Sequence, residues 1–251
     1  MNYWSLPRTV RALSACCCIA VAQAALAADT VTIGAEDDWA PYSFKAGAEA
    51  KGYSVDIVRE AFKAAGVDVK FTSLPFTRCM SEVDNGQLVG CFNAVRNSRS
   101  ERSYLWHARP LVDSRSVIYA LSSSTESGLK LKDLEGKTVG VTNGYEYGEE
   151  FDRNTKIFRD ASIQDELGFK KLLAGRFQYM VSFDKVANSL FAKNKDFTGK
   201  FKAVGIAAEA RYYLAFSKKH PESQKYQEVF NQGFDAIVQN GTLRAIEAKW
   251  P

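Results

Sequence analysis

The sequence has few of the residues and motifs on which enzymes usually depend. His107 and His220 are the only histidines in 251 residues, and neither lies near a nucleophilic serine or cysteine pattern. The chain contains no H-E-x-x-H motif, no paired-cysteine metal site and no phosphate-binding loop. We therefore expect a protein that is not an enzyme and needs no metal or cofactor, although its many acidic residues leave general acid–base chemistry open.

Strong net charge and long apolar runs are also lacking. The formal net charge is +4, and Arg8 and Arg11 in the acid-free first 27 residues leave about +2 for the rest. Because nucleic-acid-binding proteins usually present a strongly basic face, we expect no nucleic-acid partner. Beyond the N-terminal segment no run approaches about 18 apolar residues, the length that a membrane-spanning helix needs.

The N-terminus has the pattern of a secretory signal. Two arginines precede the apolar run ALSACCCIAVAQAALA, which ends in the small-residue pattern Ala25-Leu26-Ala27. This pattern predicts a cleavable signal over residues 1–27, an exported protein and a mature chain that begins at Ala28. The tetrapeptide LSAC, residues 13–16, is similar to a lipoprotein acceptor motif, but almost no apolar segment precedes it. Lipid anchoring is therefore the less favoured alternative.

Cysteine is scarce once the signal is removed. Three of the five cysteines lie in the signal, which leaves Cys79 and Cys91. In an oxidising compartment a disulfide between these two is the natural expectation. The alternative is a pair of buried thiols that never meet.

The periodicity of the mature chain predicts alternating strands and helices. Five segments near its start read in turn as strand, helix, strand, helix and buried strand: VTIGAEDD, GYSVDIVREAFKAAG, VDVKFTSL, TRCMSEVD and QLVGCFNAV. Such a βαβαβ order predicts a mainly parallel sheet. A second α/β unit follows, with a β-rich segment on either side of it at residues 115–123 and 210–218, and two amphipathic helices close the chain.

This order predicts an α/β protein with two lobes. We assign residues 28–117 and 214–251 to a discontinuous first lobe, which the closing helices would cover, and residues 118–213 to the second. The two β-rich segments would form a double-stranded hinge that joins two mainly parallel sheets.

Seven motifs in a fixed order then suggest a family: WAPYSF, GYSVDIVREAFKAAGV, LPFTRCMSEVDNGQ, SERSYLW, DLEGKTVGVTNGYEYG, LLAGRFQYMVSFD and NGTLRAIEAKW. Together they resemble the family 3 extracellular solute-binding proteins, periplasmic receptors of amino-acid ABC transporters. The resemblance implies the two-lobed periplasmic-binding-protein type II fold and a periplasmic location. It also implies a monomer that captures a small polar ligand, most often an amino acid, and passes it to a transporter permease in the inner membrane.

The resemblance leaves two other functions open and is incomplete in places. A ligand-sensing subunit for a membrane receptor would use the same closed form, and periplasmic cyclohexadienyl dehydratases are enzymes with this fold. Ser54 stands where the family usually has an acid, and Val89 replaces the usual aspartate before the third strand. The segment VRNSRSER lacks the glycine and threonines of the family pattern, so the chain resembles a divergent branch of the family.

Three arginines in that segment carry the main prediction about the ligand. Arg102 matches the family arginine that binds the ligand's α-carboxylate, a role that suits the planar fork of a guanidinium. Its alternative is a solvated side chain paired with a nearby acid. Arg96 falls near a ligand-contacting position of the family and is either a second contact or a surface residue, whereas Arg99 is expected to be solvated.

The resemblance assigns the other ligand contacts to strand ends and rings. Asp184, which follows the strand QYMVSF, matches the family aspartate that accepts the ligand's ammonium, although it also suits a helix N-cap. Glu36 at the end of the first strand is a second acidic candidate. Trp39 and Phe76 match positions that pack on the ligand, unless they are ordinary core residues. The remaining candidates belong to the loop after the strand KTVGVT and are Thr142, Asn143, Gly144 and Tyr145; an ordinary Asn-Gly turn is the alternative.

Overall fold

The computed structural model describes Met1 and residues 29–250. The predicted signal over residues 1–27 therefore lies outside the described residues, apart from Met1. In the part of the chain that the structure describes, no helix is both long enough and apolar enough to cross a bilayer.

The first lobe is built from the two ends of the chain. Its strands are β1 (Asp29–Glu36), β2 (Asp38–Trp39), β3 (Ser43–Ala46), β4 (Glu49–Lys51), β5 (Val67–Leu74), β6 (Gly90–Val95) and β7 (Tyr104–Trp106), and its helices are α1 (Tyr53–Ala64), α2 (Phe76–Asp84), α6 (Ser223–Gln239) and α7 (Thr242–Lys249). β1 lies between β5 and β6 and is parallel to both. β2, β3 and β4 form a small separate antiparallel sheet.

The second lobe repeats this plan. Its elements are β9 (Thr138–Thr142), α3 (Glu149–Arg153), β10 (Phe158–Ser162), α4 (Asp165–Leu173), β11 (Tyr179–Phe183) and α5 (Asp184–Lys193). β9 lies between β10 and β11 and is parallel to both. Because the carboxyl ends of parallel strands meet at one edge of a sheet, each lobe gathers its strand-end side chains at a single edge.

Two antiparallel strands join the lobes. β8 (Val112–Leu121) and the 17-residue β12 (Phe201–Ser217) pair over most of their length, β11 extends the sheet beyond β8, and β6 and β7 extend it beyond β12. The two expected parallel sheets are therefore the two ends of one hydrogen-bonded ladder, because β12 is long enough to belong to both.

The closing helices lie on the first lobe. α1 presents the buried face Val55, Val58, Ala61 and Phe62 at helical spacing, and this face packs on α6. Phe62 contacts Tyr226 and Phe230 at ring-centroid distances of 6.3 and 5.2 Å. A side chain at Gly233 would overlap the carbonyl of Ala61, so glycine there allows the two helices to approach closely.

The expected disulfide is present. Cys79 of α2 and Cys91 of β6 are bonded, with their Cα atoms 6.1 Å apart, and both residues are fully buried. The bridge ties the first turn of α2 to the start of β6. Closing a loop of this size contributes about 3 kcal/mol of stability in the chain-entropy model.

Candidate functional site

A small cavity, the central cavity, lies between the lobes where their strand ends face each other. Nine residues line it: Glu36, Trp39, Phe76, Asn93, Val95, Tyr145, Glu146, Phe183 and Tyr212. The structure places four of the contacts predicted from the sequence here, namely Glu36, Trp39, Phe76 and Tyr145. The cavity volume is about 10 Å³, room for about one water molecule. A larger ligand therefore enters only if the lobes or the lining rings move.

A hydrogen bond across the cleft closes this cavity. The Tyr145 hydroxyl of the second lobe donates to the Glu36 carboxylate of the first, and it also lies 3.4 Å from the Asp38 carbonyl. Glu36 is 3% exposed, and burial raises its pKa to about 8, with further increases from the charges of Asp165, Asp38 and Asp37; the Tyr145 hydrogen bond opposes them. Near neutral pH this carboxyl group is therefore mostly protonated in the closed form.

Two more acids have raised pKa values: Glu146, which lines the cavity, and Asp165, whose charge acts on Glu36. Burial raises the pKa of Asp165, at the start of α4, to about 6, and a hydrogen bond from Ser182 opposes this rise. Burial also raises the pKa of Glu146, which accepts a hydrogen bond from the Asn97 amide at 2.8 Å. The centre of the cleft is thus rich in carboxyl groups and poor in solvent, and burial favours the neutral form of each of these acids.

Aromatic rings form most of the cavity wall. Trp39 is 2% exposed, and its ring centroid lies 4.4 Å from that of Tyr42 and 5.1 Å from those of Phe183 and Tyr212. Phe76, the first residue of α2, meets Tyr145 edge to face at 6.2 Å. These rings make up one aromatic cluster that spans both lobes, so the packing of the cavity depends on lobe closure.

A β-bulge turns Asn93 into this cavity. Tyr213 pairs with Ala94 and Ala215 pairs with Cys91, so Phe92 and Asn93 lie opposite one residue of β12. Asn93 has φ of 67°, a left-handed conformation that asparagine tolerates better than most residues. Its side chain is buried, and neither amide atom has a hydrogen-bond partner.

A buried histidine stabilises the bulge. Opposite it, the N–H of Leu214 donates to Nε2 of His107 at 2.9 Å instead of to β6. His107 is fully buried, and burial lowers its pKa to about 3, so the ring stays neutral and can accept this bond. His107 thus has a structural role in holding Asn93 in place.

The predicted loop of the second lobe contacts the first lobe directly. Thr142 is buried at the end of β9, and its N–H donates to the Tyr147 hydroxyl at 2.7 Å. Gly144 has φ of +77°, and a Cβ there would overlap the Thr77 side chain of α2. Asn143 is exposed and lines an adjoining cavity of about 490 Å³. Glycine at position 144 therefore lets the lobes close fully.

Three predicted contacts lie away from the central cavity. The guanidinium of Arg96 is bound by both Glu101 oxygens at 2.6 and 2.7 Å, and the side chain of Arg102 is exposed. Asp184 and Arg96 line a neighbouring polar cavity of about 940 Å³, which shares Val95 with the central cavity. There the Asp184 carboxylate accepts from Arg115 at 2.8 Å. The structure does not bring these three side chains together with Glu36, Trp39, Phe76 and Tyr145.

The structure also adds residues that the sequence reasoning missed. Asn93 had a signal, because it is the one amide in the otherwise apolar strand GCFNAV. No sequence signal marked Glu146, Phe183 or Tyr212, since their positions at the cavity depend on how the two lobes meet.

The comparisons with known proteins agree with this architecture. Residues 31–251 match the family model of bacterial extracellular solute-binding proteins, family 3. The chain belongs to this family. Arginine-binding extracellular protein ArtP of Bacillus subtilis (strain 168) is 25% identical to this solute-binding protein over 235 residues, which cover 87% of this chain and 84% of ArtP.

Solved structures share the two-lobed fold of this solute-binding protein. The arginine-, lysine-, histidine-binding protein ArtJ of Geobacillus stearothermophilus superimposes with a TM-score of 0.73 at 19% identity, over 88% of this chain and 95% of ArtJ. A histidine kinase sensor domain with similarity to periplasmic binding proteins gives a TM-score of 0.77 at 20% identity, over 88% of this chain and 95% of that domain. At these identities the likeness establishes the fold alone.

Proposed function

We propose that the protein is a periplasmic receptor that captures a small polar ligand, of the amino-acid class, between its lobes and delivers it to an ABC-transporter permease in the inner membrane. The observation that carries the proposal is the central cavity, whose carboxyl, amide and aromatic groups come from both lobes and meet only when the lobes are together. The names of the relatives, which bind arginine and, for ArtJ, also lysine and histidine, support the ligand class.

The proposed cycle uses the two joining strands as a hinge. With the lobes apart, the first lobe offers Glu36, Trp39 and Phe76 to the ligand. Closure then brings the Tyr145 hydroxyl to Glu36 and packs Gly144 against Thr77. Closing excludes water and strengthens each polar contact inside the cavity. In this proposal the lobes comprise residues 28–117 with 214–251 and residues 118–213, residues 1–27 direct export, and the receptor acts as a monomer by binding and not by catalysis.

A thermal-shift screen of the purified protein against amino acids, amines, dicarboxylates and prephenate tests the proposal. A ligand at about a hundred times its dissociation constant should stabilise the protein by about 2.7 kcal/mol. A specific shift with one class supports the receptor. Consumption of prephenate would instead show an enzyme, and no shift with any compound would contradict a receptor for this class of solute.

A ligand-sensing subunit is the second candidate, and one observation favours it: the similarity to a histidine kinase sensor domain. The closed form of a receptor can dock on a sensor as well as on a permease. The genes next to this one separate the two functions, because a permease pair supports transport and a membrane receptor supports sensing.

A further inference from the structure

Three asparagines of the chain are followed directly by glycine, namely Asn85, Asn143 and Asn240. Asparagine is chemically labile, because the backbone nitrogen of the next residue can attack its side-chain carbonyl carbon. Glycine at that next position lacks the side chain that would otherwise shield the nitrogen. The reaction needs a free N–H at the glycine and a side-chain amide that is free to turn, so the hydrogen bonds at each Asn-Gly step decide how readily it reacts.

Hydrogen bonds restrain two of the three Asn-Gly steps. The N–H of Gly86, which follows Asn85, donates to the Val83 carbonyl at 3.0 Å at the end of α2. The side-chain oxygen of Asn240 accepts from the Thr242 N–H at 2.9 Å, at the start of α7. The first step therefore lacks a free nucleophile, and the second lacks a free side-chain amide.

The third step, from Asn143 to Gly144, is restrained at neither group. Among the described residues, neither the N–H of Gly144 nor the side-chain amide of Asn143 has a hydrogen-bond partner. Asn143 is exposed and lines the adjoining cavity of about 490 Å³, so water reaches it. The step lies in a β-turn that a long hydrogen bond of 3.3 Å closes, from the Tyr145 N–H to the Thr142 carbonyl. Gly144 takes the third position of this turn with φ of +77°.

Closure of the lobes restrains this turn from outside. In the closed form Gly144 packs against the methyl group of Thr77. The next residue, Tyr145, donates from its hydroxyl to Glu36 of the first lobe. The Gly144 nitrogen must rotate towards the Asn143 side chain before it attacks, and this rotation moves the turn away from both contacts. The open form is therefore the reactive one.

We propose that Asn143 is a site of spontaneous deamidation and that closure of the lobes slows the reaction there. The Gly144 nitrogen forms a bond to Cγ of Asn143 and passes its proton through water to the side-chain nitrogen, which leaves as ammonia. Water then opens the resulting succinimide at one of its two carbonyls, which yields aspartate or isoaspartate. The reaction itself needs no ligand, whereas its suppression by closure rests on the lobe motion of the proposed function.

Either product changes the loop that closes the cleft. It adds a carboxylate to a cavity that Asp37 and Asp38 also line, where the described lining includes one lysine, Lys45. Like charges brought together at this rim oppose closure. Isoaspartate also inserts a methylene group into the backbone ahead of Gly144, which shifts this glycine relative to Thr77. We therefore expect the reacted protein to spend more time open and to bind its ligand more weakly.

Peptide mapping of the purified protein, aged in mildly alkaline buffer made with heavy-oxygen water, tests the site. Trypsin places the three Asn-Gly steps in separate peptides, which are residues 79–96, 138–153 and 226–244. We expect aspartate and isoaspartate, each with one heavy oxygen atom, to form at Asn143 about fivefold faster than at the other two steps, because each of those must first break a hydrogen bond. Equal or slower conversion at Asn143 would overturn the proposal.

Thr77→Phe tests the suppression by closure. Thr77 is exposed, so the ring leaves the packing of α2 intact, but it fills the space that Gly144 occupies in the closed form. Deamidation at Asn143 should then be several-fold faster than in the wild type. Thr125→Phe, at another exposed threonine, is the matched control and should react at the wild-type rate. Equal rates in Thr77→Phe and the wild type would refute the suppression by closure. The proposed function is tested separately, since a ligand screen without a hit would contradict the receptor and leave the rate at Asn143 unchanged.

Discussion

Replacing Glu36 by glutamine should change how the stability of the protein depends on pH. The folded-state pKa of Glu36 is about 8, against 4.5 for an ordinary glutamate, so between these values the folded protein holds a proton that the unfolded chain has lost. The free energy of unfolding of the wild type therefore falls as pH rises from 4.5 to 8. The shift corresponds to at most about 5 kcal/mol.

Opening of the lobes sets the upper limit on this effect. Once the cleft opens, water reaches Glu36 and its pKa returns towards the ordinary value. The measured loss of unfolding free energy therefore cannot exceed the free energy needed to open the lobes. Glutamine is neutral at every pH and can still accept the Tyr145 hydroxyl hydrogen. The variant should therefore match the wild type near pH 5 and be the more stable protein near pH 8.

Urea unfolding at pH 5, 6, 7, 8 and 9 measures this difference. The groups that face Glu36 are Tyr145, Asp37, Asp38 and Asp165; they are present in both proteins, so their own titration largely cancels in the comparison. Glu49→Gln, at an exposed glutamate, is the control and should run parallel to the wild type. If the difference in unfolding free energy between Glu36→Gln and wild type stays constant from pH 5 to pH 9, the reasoning is wrong.

Three further predictions follow from close contacts. Gly144→Ala should weaken ligand binding and increase the radius of gyration in X-ray scattering, because the methyl group meets Thr77; Gly175→Ala, with a similar φ but open space, should do neither. His107→Leu should cost about 1–3 kcal/mol in urea unfolding, since it leaves the Leu214 N–H without an acceptor, and a loss under 0.5 kcal/mol would contradict that role. Removing the disulfide by Cys79→Ala with Cys91→Ala should cost about 3 kcal/mol, and unchanged stability would show that the bridge is dispensable.

The fold was predictable from the sequence because its strands and helices carry clear periodic patterns. The apolar spacing of α1 reflects burial of one helix face, and the continuous apolar run of β6 reflects burial of both strand faces. Because burial of apolar side chains stabilises the fold, these patterns predict it. The disulfide was predictable for a simpler reason, since only two cysteines lie outside the predicted signal.

The candidate site was predictable only where local position decides it. Glu36 ends a parallel strand and Phe76 begins a helix, so both lie at the ligand edge of the first lobe whatever surrounds them. Whether Arg102 reaches the cavity depends on the path of a loop. The orientation of Asn93 depends on a bulge and on His107, fourteen residues further along the chain. Such arrangements arise from tertiary packing and leave no periodic pattern in the sequence.

The Tyr145 hydroxyl, which donates to Glu36, competes with the ligand for the Glu36 carboxyl group. A ligand group that binds the Glu36 carboxyl must first replace the phenol, so the apparent affinity equals the intrinsic affinity multiplied by the fraction of molecules in which the contact is open. Each 1.4 kcal/mol in this contact raises the half-saturating concentration about tenfold. Tyr145→Phe keeps the ring and removes the competing hydroxyl, so calorimetry should show tighter binding, and weaker binding would contradict the competition. The concentration at which the receptor responds is thus set partly by a residue that can vary independently of the groups that recognise the ligand.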